Sequence, residues 1–150
     1  MFIDDKNLGE LNTWEIGSFV GNVFQDPRSQ FFANEVAGEI AFGCENLGLS
    51  HNEIVDRVHK SAKEMNILEL LNTSIYTLSY GMRQRVAICS AKAMQPDIYV
   101  LDEPSANLDL KSTYQFAKLI QKLKKEGKTI IIVEHRLFYL NSIVDNYIFM

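Results

Sequence analysis

The run Ile98-Tyr99-Val100-Leu101 stops at Asp102-Glu103-Pro104. Four apolar residues in a row, closed by two carboxylates and a proline, are the pattern of a strand buried on both faces with polar groups just past its end. Residues 129–134 repeat it, Ile130, Ile131, Ile132 and Val133 running into Glu134 and His135. Between the two, Asp109 is placed to cap a long helix that closes at Gly127. Upstream, Ser79 reads as the N-cap of a helix whose Met82, Val86, Cys89 and Ala93 share a face until Pro96 stops it. Earlier still, the mostly apolar residues 19–24 predict a short buried strand running into the turn-like Gln25-Asp26-Pro27-Arg28. Strands separated by helices predict an α/β fold with a mainly parallel sheet.

The interval between the first two strands carries helical patterns only. Asn34 is placed to cap a helix with Val36, Ile40, Cys44 and Leu47 on one face. Ser50 and Glu53 form a capping box for a second helix with Ile54, Val58 and Met65, and residues 68–71 predict a short third piece. A helical insertion over about residues 34–94 is therefore expected at one end of the sheet. After the strand at 129–134, Leu137, Leu140 and Val144 predict one more helix, and residues 147–150 the start of a last strand.

Composition narrows the function classes. The 150 residues carry 15 Lys plus Arg against 19 Asp plus Glu, a net charge of −4, and are 47% apolar. This is one ordinary globular domain at most. The longest apolar runs are about four residues, far short of the ~18 that a membrane helix needs, and the first residues lack the basic start of a signal peptide. A soluble, cytoplasmic chain is expected. Cys44 and Cys89 lack C-x-x-C spacing, which argues against a zinc site or a disulfide framework. The acidic balance argues against nucleic acid as the main partner.

In open α/β sheets, ligands sit beyond the carboxyl ends of the parallel strands. The three strands here end at Gln25, at Asp102-Glu103 and at Glu134-His135. Asp102 is a hard oxygen ligand suited to Mg²⁺, and Glu103 can polarise a water for attack on a phosphoryl group. Thr77-Leu78-Ser79-Tyr80-Gly81 opens a helix with free N–H groups at its positive end, which receives phosphate well. Singly, each has a plainer reading: a solvated turn, a capped helix start, a structural histidine.

Jointly, order and spacing resemble the nucleotide-binding domain of ATP-binding-cassette (ABC) proteins across nearly the whole chain. The loop at Gln25 resembles the family's Q-loop, and LSYGMRQR at 78–85 its signature motif. IYVLDEP at 98–104 resembles the Walker B strand, SANLD at 105–109 the D-loop, and His135 the switch histidine. The resemblance implies a P-loop NTPase-like sheet with a helical subdomain at about 34–94. Within the family, VFQDPRSQFF and EIAFGCENLGLS are similar to the ATPase subunits of energy-coupling factor and cobalt-type importers, which take up vitamins or metal ions.

The resemblance implies roles position by position, with ATP and Mg²⁺ as cofactors. Asp102 holds Mg²⁺, Glu103 activates water, His135 contacts the γ-phosphate, and Gln25 links the metal to a transmembrane subunit. Ser79 and Gly81 meet the γ-phosphate of ATP bound to a second nucleotide-binding subunit, identical or different, and Asp109 lies at that dimer interface. Residues 25–34 form part of the surface receiving the membrane subunit. The expected location is the cytoplasmic face of the cell membrane.

Two departures stand out. Tyr80 and Met82 occupy positions where the usual signature has Gly and Gln. None of the eight Gly residues fits G-x-x-x-x-G-K-[ST]. Gly127-Lys128-Thr129 ends correctly but leads into a strand, so it reads as a helix closure. Residues 1–5 resemble the strand end and turn downstream of the phosphate loop, so the domain is read as truncated at its N-terminus; an excised piece, a truncated product and a wrongly delimited sequence all stay open. Two other functions are weighed. A non-catalytic interaction module could retain the dimer and coupling surfaces, and a non-transport ABC ATPase could act on DNA. The lack of heptads between Gln25 and Ser79 and the negative charge disfavour the latter.

Overall fold

The computed structural model describes residues 2–3 and 6–149, with side chains from residue 9 onward. An antiparallel pair, β1 (Phe2–Ile3) and β2 (Lys6–Asn7), comes first. Helix α1 (Thr13–Phe19) follows, the Glu15 carboxylate accepting the Asn12 N–H at 2.7 Å. A strand end within residues 1–5 was expected from the resemblance, but its antiparallel pairing with β2 and helix α1 were not. Strand β3 (Val20–Val23) leads through a 3-10 turn to α2 (Val36–Asn46), α3 (His51–Glu64) and α4 (Tyr80–Ala93). Then come β4 (Ile98–Asp102), α5 (Leu110–Lys125) and β5 (Thr129–Val133).

The sheet order is β3-β4-β5, all parallel, with Val23 beside Leu101 and Leu101 beside Ile132. Each crossover passes through helix, as parallel neighbours require. Gly21, Val23, Tyr99 and Leu101 are buried on the face that α4 and α5 cover, where Ile130 and Ile132 also pack. A Cβ on Gly21 would come within 2.7 Å of Pro96 and 3.5 Å of Ala91, so the glycine lets α4 and its exit lie close on the sheet. On the other face Ile131 and Val133 are exposed and Val20, Ile98 and Val100 are only half-buried. That uncovered face departs from the both-faces-buried reading of these strands.

Most of the expected helix ends are where the sequence placed them. Ser50 Oγ accepts from Glu53 N, Ser79 Oγ from Met82 N, and Asp109 Oδ1 from Ser112 N. Beyond α5, Gly127 takes a φ of +79°, and Lys128 N donates to Leu123 O, a left-handed closure that glycine favours. The Gly127-Lys128-Thr129 triplet is thus a helix stop followed by β5.

Three further expectations fail. Asn34 does not cap α2. Glu35 occupies that position, and the first helical N–H groups find carbonyls instead, Val36 N on Thr73 O and Ala37 N on Leu71 O. The helix expected around Leu137, Leu140 and Val144 is only a 3-10 turn, Leu137–Tyr139, followed by further turns. Asn141, Ser142, Asp145 and Asn146 are residue types with low helix propensity, and a short segment repays helix nucleation poorly. The last strand is not formed over residues 147–149; Met150 lies outside the described residues, as do Met1, Asp4 and Asp5.

The core joins both halves of the chain, with Ile40, Met65, Ile67, Leu101 and Phe116 fully buried. A polar tie adds to it: Glu64 on α3 pairs with Lys92 on α4 and Lys122 on α5, each at 2.8 Å.

Candidate active site

Three loops converge at the carboxyl end of the sheet. The centre is Glu103, the first residue after β4. Its N–H donates to Val133 O at 2.9 Å, extending the β4–β5 ladder by one bond, and its φ of +42° is left-handed. A non-glycine residue held there is strained. The side chain is engaged on both oxygens. Gln25 Nε2 donates to Oε2 at 3.0 Å, and His135 Nε2 lies 3.1 Å from Oε1. Thus the residues expected to act together, from the ends of β3, β4 and β5, meet on one carboxylate. His135 is 83% exposed and Glu103 21%, so the carboxylate is recessed and the imidazole faces open solvent.

Asp102 ends β4 on the uncovered side, exposed, and its carboxylate has no partner among the described residues. The β3–β4 register puts it one residue past the Val23–Leu101 pair, level with the loop that carries Gln25. No group of three or more His, Cys, Asp or Glu among the described residues is arranged to hold a metal ion.

The 105–109 turn and the start of α4 complete the rim. Ser79 is exposed, its hydroxyl serving as the N-cap of α4. A Cβ on Gly81 would come within 2.9 Å of Asn107 O, so the first turn of α4 sits close against the 105–109 turn only because residue 81 has no side chain. Tyr80 reaches the other way, its hydroxyl donating to Gln25 O at 2.8 Å. Asp109 caps α5; its bond from Ser112 N chiefly holds its carboxyl below the ordinary value.

Sequence reasoning missed the organising role of Glu134. Its carboxylate accepts from Ser105 Oγ (2.6 Å), Tyr139 OH (2.8 Å), and the N–H groups of His135 and Arg136 (3.0 Å each). Burial raises its pKa, but these bonds outweigh it and the net shift is downward. Arg136 adds a bond to Ser105 O at 2.8 Å. The turn presenting His135 is therefore fixed from the turn after β4. The sequence signal was Glu134 beside His135 at a strand end, which does not reveal Ser105 or Tyr139 as its partners.

The family model described as "ABC transporter" matches residues 1–106. The chain belongs to the ABC transporter family. A putative ABC transporter ATP-binding protein of Treponema denticola is 45% identical over 99% of this chain and 30% of its own length. The energy-coupling factor transporter ATP-binding protein EcfA1 of Enterococcus faecalis is 39% identical over 89% of this chain and 48% of its own. The solved structure of cbiO1 from Clostridium perfringens, described as part of the ABC transporter complex cbiONQ, superposes with a TM-score of 0.81. It is 33% identical, over 96% of this chain and 59% of that one. The chain thus spans 30%, 48% and 59% of the lengths of these three proteins. Its α/β architecture with a parallel sheet is that of the ABC ATPases. Among the described residues no helix is long and apolar enough to cross a membrane.

Proposed function

We propose that the chain works within the ATP-binding and hydrolysing subunit of an ABC-type membrane importer for a vitamin or metal ion, held at the cytoplasmic face of the membrane. The observation that carries this reading is the meeting of Gln25 and His135 on the two oxygens of Glu103. A recessed carboxylate with both oxygens oriented is suited to take a proton from an attacking water. The exposed imidazole beside it is placed to contact the phosphoryl group being attacked, as either a donor or a cation. Ser79 and Gly81 open α4 with free N–H groups, which suits them to a phosphate held by a second subunit across an interface that includes Asp109.

The donor chemistry fits Mg²⁺. Asp102 offers an unpartnered carboxylate, and Gln25 uses its amide nitrogen on Glu103, leaving the amide oxygen available. One or two protein oxygens are enough for an ion that keeps water and phosphate ligands. When bound, Mg²⁺ neutralises charge on the phosphates.

Docking to a transmembrane subunit is supported by a cavity of about 340 Å³ lined by Arg28, Phe31, Ala33, Ile75, Tyr76 and Arg83. Tyr76 in this lining is 73% exposed, and Phe32, between the lining residues Phe31 and Ala33 in the chain, is 75% exposed. An apolar floor with two guanidinium groups suits an amphipathic helix carrying acidic residues.

The test is ATP turnover by the protein that contains this chain, wild type against Glu103→Gln. The amide keeps the shape and cannot accept a proton, so turnover should fall ~10²–10⁴-fold with nucleotide binding retained. Near wild-type turnover in the variant overturns the assignment. These 150 residues by themselves should turn over ATP poorly or not at all, because no stretch of them fits G-x-x-x-x-G-K-[ST].

A further inference from the structure

Tyr80 stands where the signature pattern has a glycine, and its ring leaves the first turn of α4 to reach another part of the chain. Gln25 is consequently bonded at both ends. Its carbonyl accepts from the Tyr80 hydroxyl at 2.8 Å, and its side-chain amide donates to Glu103 at 3.0 Å. Two other side-chain bonds of the loop are local, Phe24 N donating to Gln30 Oε1 and Arg28 N to Asp26 Oδ1, while the Asp26 carboxylate also lies beside the Tyr80 phenol. Buried Pro27 anchors the turn that follows. Packing therefore fixes the loop as a whole, while the Tyr80 bond fixes the orientation of the Gln25 carbonyl. The residue whose backbone the phenol holds is therefore the one whose side chain reaches Glu103, so a shift of the Gln25 backbone carries its side chain with it. Burial first, and then the Asp26 carboxylate, raise the pKa of the phenol above the ordinary value, so at neutral pH it is protonated as any tyrosine is.

We propose that Tyr80 is a positioning residue, a tie from the start of α4 to the Gln25 peptide that aims the Gln25 amide at Glu103. The signature end of α4 and the water-activating carboxylate are thereby linked within one chain. Where a glycine would leave this helix end open to a phosphate, the tyrosine adds an internal connection. The catalytic meaning of the tie rests on the reading of Glu103 as the base; the tie itself does not.

The test is heteronuclear NMR of the nucleotide-free full chain with Tyr80→Phe, which keeps the ring and removes one hydroxyl. The Gln25 side-chain amide and the Glu103 carboxyl carbon should both shift. In a Gln25→Leu background, Tyr80→Phe should leave the Glu103 signal unmoved, because the connecting amide is gone. Unchanged Gln25 and Glu103 signals in the single variant, or an equal Glu103 shift in both backgrounds, overturn the proposal. If Tyr80→Phe fails to fold, the wild-type chain still decides: a Tyr80 hydroxyl exchanging more slowly than free tyrosine supports the tie, and one exchanging equally fast overturns it. These readouts need no nucleotide, so a missing tie and a wrong role for Glu103, which turnover reads, are told apart.

Discussion

Ser105 donates its hydroxyl to Glu134 across 2.6 Å, binding the turn after β4 to the turn that presents His135. Because the acceptor is a carboxylate, the bond belongs to the stronger class of hydrogen bonds. Glu134 collects three more bonds from Tyr139 and the His135 and Arg136 N–H groups. The candidate site thus has a frame beneath the residues that face solvent.

That frame should be pH-sensitive in a defined direction. The Glu134 pKa is lowered from 4.5 on folding. Its contribution is therefore fully present above 4.5 and is lost as the pH falls through the lower, folded-state value. At pH 7, Ser105→Ala should destabilise by about 1.5–3 kcal/mol. The difference from wild type should shrink steadily in urea titrations carried below pH 4.5. A penalty that is the same at pH 7 and pH 3 would show that Ser105 acts through packing rather than through the carboxylate.

Gly81→Ala tests the approach of α4 to the 105–109 turn. The added methyl meets a backbone oxygen, Asn107 O at 2.9 Å, which cannot rotate away. Overpacking of this kind typically costs about 1–3 kcal/mol. Thermal unfolding should report a loss in that range, with amide shifts confined to residues near 79–82 and 105–109. A substitution without effect on either would mean that the two segments separate easily in solution.

The sequence disclosed the three parallel strands and the caps at Ser50, Ser79 and Asp109 because those signals are local: apolar runs, and an oxygen two or three residues before a free N–H. It also disclosed which strand ends carry Gln25, Glu103 and His135. It did not disclose their meeting on one carboxylate, which depends on strand order and on the left-handed turn at Glu103. The start of α2 was misplaced for a related reason. Its N–H groups are satisfied by Thr73 and Leu71, far along the chain, so no local cap marks the boundary. At the C-terminal end the apolar spacing of Leu137, Leu140 and Val144 mimics a helix, yet all it delivers is burial of Leu140 with Val144 half-buried beside a turn.

The uncovered sheet face gives a third expectation. Ile131 is 48% exposed and Val133 41%, on a strand that lacks a second partner among the described residues. Exposed apolar edges promote pairing between chains. Self-association with dye-detectable apolar surface is expected of the chain, and Ile131→Lys should reduce both, since a charge on an exposed edge position disfavours further pairing. Light scattering across a concentration series is the measurement. A wild-type chain that stays monomeric at high concentration counts against the expectation.

The last expectation concerns the tie between the helices, and it separates a recessed ion pair from an exposed one. Glu64 meets Lys92 and Lys122 at the same 2.8 Å, but the Lys92 side chain is 10% exposed and that of Lys122 46%. Burial raises the Glu64 pKa, and the bonds from Lys122 and Lys92 more than offset it, leaving it below the ordinary value. Lys122→Gln removes a partner that water can replace, so about 0–1 kcal/mol should be lost. Glu64→Gln strands the Lys92 ammonium in a recessed position, and the loss should approach the ~3–5 kcal/mol typical of breaking a buried pair. Added salt should erase the Lys122 effect and leave most of the Glu64 effect. Equal losses in the two variants, or a Glu64 effect that disappears in 1 M salt, would show that burial of Lys92 does not set the strength of this contact.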